Sequence, residues 1–185
     1  VVFDWEDTYH NEKIRKDIFF VSDDPYYPMA GNIRTLKEFY SSFYDLDEDI
    51  YQKTIKLFNL EENKAISSFS KGMKRQTMLL FALAAKPKLL LLDEHTAALD
   101  PKTADKVLEL TNRIVEENGL TCLMITHNMQ TALESGNRLL MMNEGKILLD
   151  LNQEEKEKLS IDDLRDLFRK KSSRELDDER MILSK

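Results

Sequence analysis

Four consecutive leucines, Leu89 to Leu92, run straight into two carboxylates, Asp93 and Glu94, and this stretch limits the fold more than any other in the 185 residues. A run that is apolar at every position suits a strand buried on both faces. Such strands belong to parallel sheets covered by helices. The run is far too short to cross a membrane. The carboxylates at its end fall at the carboxyl edge of the sheet, where open α/β sheets bind their ligands.

The neighbouring segments extend the same architecture. Residues 17–22, Asp-Ile-Phe-Phe-Val-Ser, predict a second buried strand, ended by Asp23, Asp24 and Pro25. Leu36, Phe39, Tyr40 and Phe43, then Tyr51, Ile55 and Phe58, keep helical spacing. The break near Asp45-Leu46-Asp47 makes them a helical pair. Residues 70–85 predict a helix with Gly72 in its first turn, and 102–118 an amphipathic helix closed by Gly119. Residues 120–125 predict a further buried strand, and 128–135 a short helix stopped by Gly136. Asn143-Glu144-Gly145 is a hairpin turn between strands at 138–142 and 146–151. The class is therefore α/β, with residues 24–86 as an inserted helical subdomain. Residues 152–185 are mostly charged and predict a short amphipathic helix followed by a frayed end.

Composition excludes several functions. The net charge of −7 argues against a nucleic-acid-coating protein and so against a nucleic-acid partner. Nearly all of that charge lies in residues 1–64, and residues 65–151 are neutral overall. The single cysteine, Cys122, cannot form an internal disulfide, and its place in a strand predicts a buried apolar role. The first residues lack the basic start and apolar stretch of a signal peptide.

Four points carry chemistry. Asp93 and Glu94 offer one carboxylate for a divalent metal and one free to take a proton. Ser70-Lys71-Gly72 opens a helix with a hydroxyl and unobstructed N–H groups at the positive end of its dipole, an anion site as well as an ordinary Ser N-cap. Asp100 before Pro101 suits a helix cap with Pro at the first position, a structural role sufficient in itself. His127 follows a strand directly and can share a sheet edge with Asp93 and Glu94. His10 and His95 are read as satisfied structural histidines.

In order and spacing these points resemble the ATP-binding subunit of ABC transporters over roughly residues 15–151. The resemblance makes Ser68 to Met73 the signature loop, with Ser70 and Gly72 contacting nucleotide. It makes Leu89 to Asp93 the Walker B strand, Glu94 the catalytic Glu, Ala97 to Asp100 the D-loop and His127 the switch histidine. Asp23 falls at the Q-loop position. The fold it implies is a P-loop NTPase-like sheet flanked by helices with an inserted helical subdomain. It also implies ATP and Mg²⁺ as cofactors, with Asp93 and Asp23 as the metal carboxylates and Asp93 and Asp100 at the nucleotide.

The sequence departs from the family pattern at several positions. Lys71 and Met73 replace a Gly and a Gln of the usual signature, and Asp23 replaces the Q-loop Gln. The Ser-Lys-Gly-Met form is similar to exporter-type members, whereas the stretch from His95 to Thr103 resembles members assigned to amino-acid transport. No Gly-x-x-x-x-Gly-Lys-Ser/Thr occurs: Gly145 alone precedes a Lys, and position 140 is Leu. The phosphate-binding loop is therefore missing, and with no Met at position 1 the expectation is an ATPase domain incomplete at its N-terminus.

The family implies a head-to-tail dimer with a second ABC ATPase subunit and a transmembrane permease subunit. That places the protein in the cytoplasm, peripheral on the inner face of the membrane. Residues 28–63 would hold the permease contact, with Tyr26, Tyr27, Phe39, Tyr40, Phe43 and Tyr44 either filling that dock or packing the core. The expected division is 1–151 as a partial ATPase domain and 152–185 as a charged helix and tail. The alternative is a degenerate, non-catalytic partner that donates only a signature loop.

Overall fold

A computed structural model describes residues 11–24, 27, 31–97 and 99–183. The chain divides into two units, Val1–Ile125 and Thr126–Lys185.

In the first unit, α1 (Glu12–Lys16) leads into β1 (Ile18–Val21), and two helices, α2 (Ile33–Ser41) and α3 (Glu48–Leu57), follow. A short 3-10 turn, Ile66–Ser68, precedes α4 (Lys71–Ala84). Then come β2 (Leu89–Asp93), α5 (Pro101–Glu117) and β3 (Thr121–Ile125). The three strands form one parallel sheet in the order β1-β2-β3, with Ile18 opposite Leu89 and Leu92 opposite Met124. No strand lies between β1 and β2 among the described residues, so the expected helical insertion is present. Pro25, Tyr26 and the residues at 28–30, which the sequence reading used for its start, lie outside the described residues, as do His10 and Ala98.

Local chemistry sets the helix starts. Asn32 and Thr35 form a reciprocal capping box on α2, and Asp47 caps α3 by accepting from the Ile50 N–H at 3.0 Å. Asp100 caps α5 with Pro101 in its first turn, and Gly119 beyond its end takes φ +61°, as its cap position demands.

α4 is the central helix. From Leu79 to Ala84 every residue is buried, and a helix apolar all round belongs inside a core. The Phe81 ring stacks on Tyr40 of α2 at 4.7 Å and lies 6.1 Å from Tyr51 of α3. Phe19, Val21, Leu90 and Leu92 join this core from one face of the sheet, and Val107, Leu110 and Ile114 from α5.

The opposite face of the sheet differs from the sequence reading. The segment at 120–125 was expected to be a fully buried strand, but Leu123 is 49% exposed and Ile125 52%. Phe20, in register with Leu91 and hence with Leu123, is also exposed. Side chains alternate across a strand. Cys122 and Met124 therefore face the core, and their neighbours face a side that no described residue closes over. Burial pushes the Cys122 thiol up to about 11, in keeping with its expected apolar role.

In the second unit, α6 (Met129–Glu134) precedes the hairpin β4 (Arg138–Asn143) and β5 (Lys146–Asn152). Glu144 and Gly145, both at positive φ, make its two-residue turn. α7 (Gln153–Lys156) and α8 (Ile161–Leu183) complete it. Leu139, Leu149 and Leu164 form its own small core, so β4, β5 and α8 belong to one unit. The buried Lys156 Nζ donates to the carbonyls of Ser135 and Gly136 at 2.5 and 2.9 Å, closing the end of α6. α8 runs through Leu183, longer than the short helix expected. Its run of Arg, Lys, Glu and Leu has high helix propensity.

Candidate functional site

Three segments converge at the carboxyl end of β2. Asp93 is the last residue of that strand, half-buried and opposite Ile125 of β3. Glu94 follows with φ +45°, a left-handed backbone that costs any residue other than glycine. Backbone hydrogen bonds to distant parts of the chain help to hold it there. Its N–H donates to the Ile125 carbonyl at 3.1 Å, and its own carbonyl accepts from Arg75 Nη1 at 3.2 Å. Glu94 thus turns the chain sharply away from the strand, just beyond the Asp93 carboxylate.

Arg75 comes from the second turn of α4 and is 5% exposed. Its Nε and Nη2 both donate to the Asp23 carbonyl, at 2.8 and 2.5 Å. The Tyr27 hydroxyl donates to the Lys74 carbonyl, fixing the same loop to the adjacent residue of α4. The Asp23 side chain stays exposed and accepts from Ser22 Oγ at 3.3 Å. One guanidinium therefore joins the backbones of Asp23 and Glu94, two of the residues singled out from sequence.

His95 is not the satisfied histidine expected. It is 3% exposed, and its Nε2 has no hydrogen-bond partner among the described residues. Burial, and then the nearby Arg75 charge, pushes its imidazole down to about 4, so it is neutral at pH 7.

The remaining residues take their places on helix ends. Ser70 is the N-cap of α4, exposed, its Oγ accepting from the Met73 N–H at 3.1 Å. Gly72 lies in the first turn, as expected. Asp100 accepts from the Thr103 N–H at 3.1 Å, and these Thr103 hydrogen bonds hold its carboxyl below the usual range. His127 lies in the second unit, exposed, two residues along the chain from the end of β3.

Among the described residues no three His, Cys, Asp or Glu side chains come together to hold a metal. Mg²⁺ does not need such a cage. It takes one or two carboxylates and completes its shell with water and phosphate oxygens. A half-buried Asp93 at a sheet edge fits that role. Arg75 was missed from sequence: α4 is buried all round from Leu79 to Ala84, so helical spacing does not single it out from Lys71 and Lys74.

Known proteins resemble this chain in sequence and in fold. A family model for ABC transporters matches residues 3–97, just over half the chain. A tyrosine transport ATP-binding protein of Clostridioides difficile (strain R20291) is 46% identical over 103 residues, covering 56% of this chain and 41% of that protein. The chain thus spans less than half the length of the curated relatives it matches. A solved ATP-binding subunit of an ABC transporter superposes with a TM-score of 0.75 at 21% identity, covering 89% of this chain and 72% of that one, a likeness of fold. The ATP-binding cassette MJ0796, solved as a dimer in a post-hydrolysis state with ADP and Pi, gives a TM-score of 0.68 at 25% identity, covering 80% of this chain and 68% of that one. With the strand, signature helix and paired carboxylates in the expected order, the chain belongs to the ABC transporter family, as part of its nucleotide-binding domain.

Proposed function

We propose that this chain supplies the metal carboxylate, the water-activating base and the signature helix of an ATP-binding subunit that drives transport across a membrane. The observation that carries the reading is the Asp93-Glu94 step at the end of β2, with the Glu94 backbone pinned in a left-handed turn from two sides. Bound ATP and Mg²⁺ supply the transferable γ-phosphoryl group and the charge that offsets its oxygens. Asp93 would hold the metal, with Asp23 the second carboxylate. Glu94 accepts the proton of the attacking water, and His127 orients the reacting groups. Ser70 and the free N–H groups around Gly72 offer an anion site at the start of α4, presented to the nucleotide of an opposing subunit. Asp100 would stand near that nucleotide while capping α5.

In this reading 24–86 is the helical subdomain, 1–151 the ATPase portion and 152–185 an appended tail. A second ABC ATPase subunit pairs head to tail, and a permease docks on the helical subdomain. Phe43, 49% exposed beside an open depression of about 400 Å³ lined by Lys37, Ser42 and Tyr44, supports such a dock. Tyr40 is core, stacked on Phe81. No helix among the described residues is long and apolar enough to cross a membrane. From its family, the reading places the chain peripherally, on the cytoplasmic face.

The test is steady ATP turnover. The purified chain alone should hydrolyse little ATP, because its sequence has no phosphate cradle; turnover that Glu94→Gln abolishes would refute this. Paired with an ABC ATPase subunit that carries the cradle, turnover should fall on both Ser70→Ala and Glu94→Gln. The alternative reading is a partner that donates only its signature loop. In that case Ser70→Ala lowers turnover and Glu94→Gln does not.

A further inference from the structure

We infer that Arg75 is a positioning residue that locks the Asp23 loop and Glu94 to α4, so that the backbone of the candidate base follows the loop through one side chain. The inference rests on the proposed role of Glu94 for its meaning, but its geometry stands independently. Arg75 is buried, and its guanidinium spends Nε and Nη2 on the Asp23 carbonyl and Nη1 on the Glu94 carbonyl. A planar fork with fixed donor directions reaches two carbonyls at once. A lysine ammonium keeps the charge but not the fork.

The two ends are not equivalent. The Asp23 loop has a second attachment to α4, through the Tyr27 hydroxyl on the Lys74 carbonyl. The Glu94 carbonyl accepts from Arg75 Nη1 and from the Ala97 N–H of its own turn at 3.0 Å. Glu94 is also the strained element, at φ +45°. A left-handed residue persists only while its surroundings over-determine it. Removing the Arg75 bond therefore releases Glu94 toward negative φ, and a displacement of the Asp23 loop pulls on the group that holds Glu94 in place. The Asp23 loop thereby gains a mechanical line to the end of β2.

The experiment is NMR on the isotopically labelled 185-residue chain, without nucleotide. The readouts are the backbone shift and coupling signature of Glu94 φ, and amide exchange at Asp24, Glu94 and Ala97. The parent should show a left-handed Glu94. Arg75→Met and Arg75→Lys should both lose that signature and speed exchange at all three amides about tenfold or more. Amides from Leu79 to Ala84 should stay protected. Tyr27→Phe should loosen Asp24 while leaving the Glu94 signature unchanged.

Retention of the left-handed signature in both Arg75 variants overturns the inference. So does full rescue by lysine, which would make buried charge, not the fork, the operative feature. If Arg75→Met does not fold, Arg75→Lys and Tyr27→Phe carry the same decision. Because no nucleotide is present, the result is separate from the turnover test. Should Glu94→Gln leave turnover intact, the role of Glu94 as base falls while the coupling stands.

Discussion

The left-handed backbone of Glu94 has a measurable cost. For an L-residue this conformation costs roughly 1–2 kcal/mol relative to the right-handed helix region, and for glycine almost nothing. The informative comparison is Glu94→Gly against Glu94→Ala. Both remove the carboxylate, so any interaction of the side chain cancels. Both keep the N–H that donates to Ile125 and the carbonyl that accepts from Arg75. Glycine sheds the strain but brings a more disordered unfolded chain, an opposing cost of about 0.4–1 kcal/mol. The glycine variant should therefore be the more stable by about 0.5–1 kcal/mol. In a unit of this size that raises Tm by about 2–4 °C. Urea and thermal unfolding of the two variants, followed by circular dichroism, measures it. Equal stability, or an alanine variant more stable than the glycine one, would refute the claim that Glu94 stores strain. In the paired ATPase neither variant should support turnover, so the site would gain stability as it loses its base.

Three further outcomes follow from the packing. Asp47→Ala removes the cap on the Ile50 N–H and the 2.7 Å contact with Lys86, and should cost about 1 kcal/mol in urea unfolding. The Lys86 hydrogen bond, and then the Ile50 N–H, hold the Asp47 carboxyl below its ordinary 3.8. Its contribution is therefore complete above that pH and is lost as pH falls through the depressed folded value; below pH 4 the parent should lose stability more steeply than the variant. Lys156→Met strips the Ser135 and Gly136 carbonyls of their buried donor and should destabilise the second unit by about 1–3 kcal/mol, read as faster amide exchange in α6 and β4. Leu123→Thr, on the exposed face of β3, should change stability by no more than about 0.5 kcal/mol while lowering binding of a hydrophobic dye; unchanged dye binding would show that this face is covered in solution.

The parts of the fold legible in the sequence are those fixed by local chemistry. Leu89 to Leu92 form a strand because the run is apolar and short, and Ser70, Asp100 and Asn128 start helices because their side chains accept from the next turn. The order of motifs likewise marks the family. Burial on a particular face was not legible. Thr121 to Ile125 is apolar on both sides of the pleat, and whether Leu123 is covered depends on which layers are present, which the strand does not encode. Arg75 stands in a basic cluster with Lys71 and Lys74 and looks like one more solvated charge. What separates it is its burial, which Lys71 and Lys74 do not share. The left-handed turn at Glu94 has no sequence signal at all, because a glutamate in that conformation is held by Arg75 and Ile125, both distant in the chain.

Those illegible features share one place. A buried guanidinium, a buried imidazole with an unpartnered Nε2 and a left-handed glutamate all gather at the carboxyl end of β2. A leaky hydrogen-bond inventory or a strained backbone costs about 1–3 kcal/mol apiece. The lower half of α4, from Leu79 to Ala84, shows none of this and packs as an uninterrupted apolar core. Stability alone would favour an aliphatic residue at 75 and a glycine at 94. Left-handed Asn59 and Lys86 and the unpartnered Thr54 and Thr111 hydroxyls lie away from β2, so it is the clustering of such departures around Asp23 and Glu94 that a functional role for these positions would explain. On the proposed reading that clustering favours an ATPase site over a signature-loop donor, which needs the start of α4 and has no use for a pinned carboxylate at the end of β2.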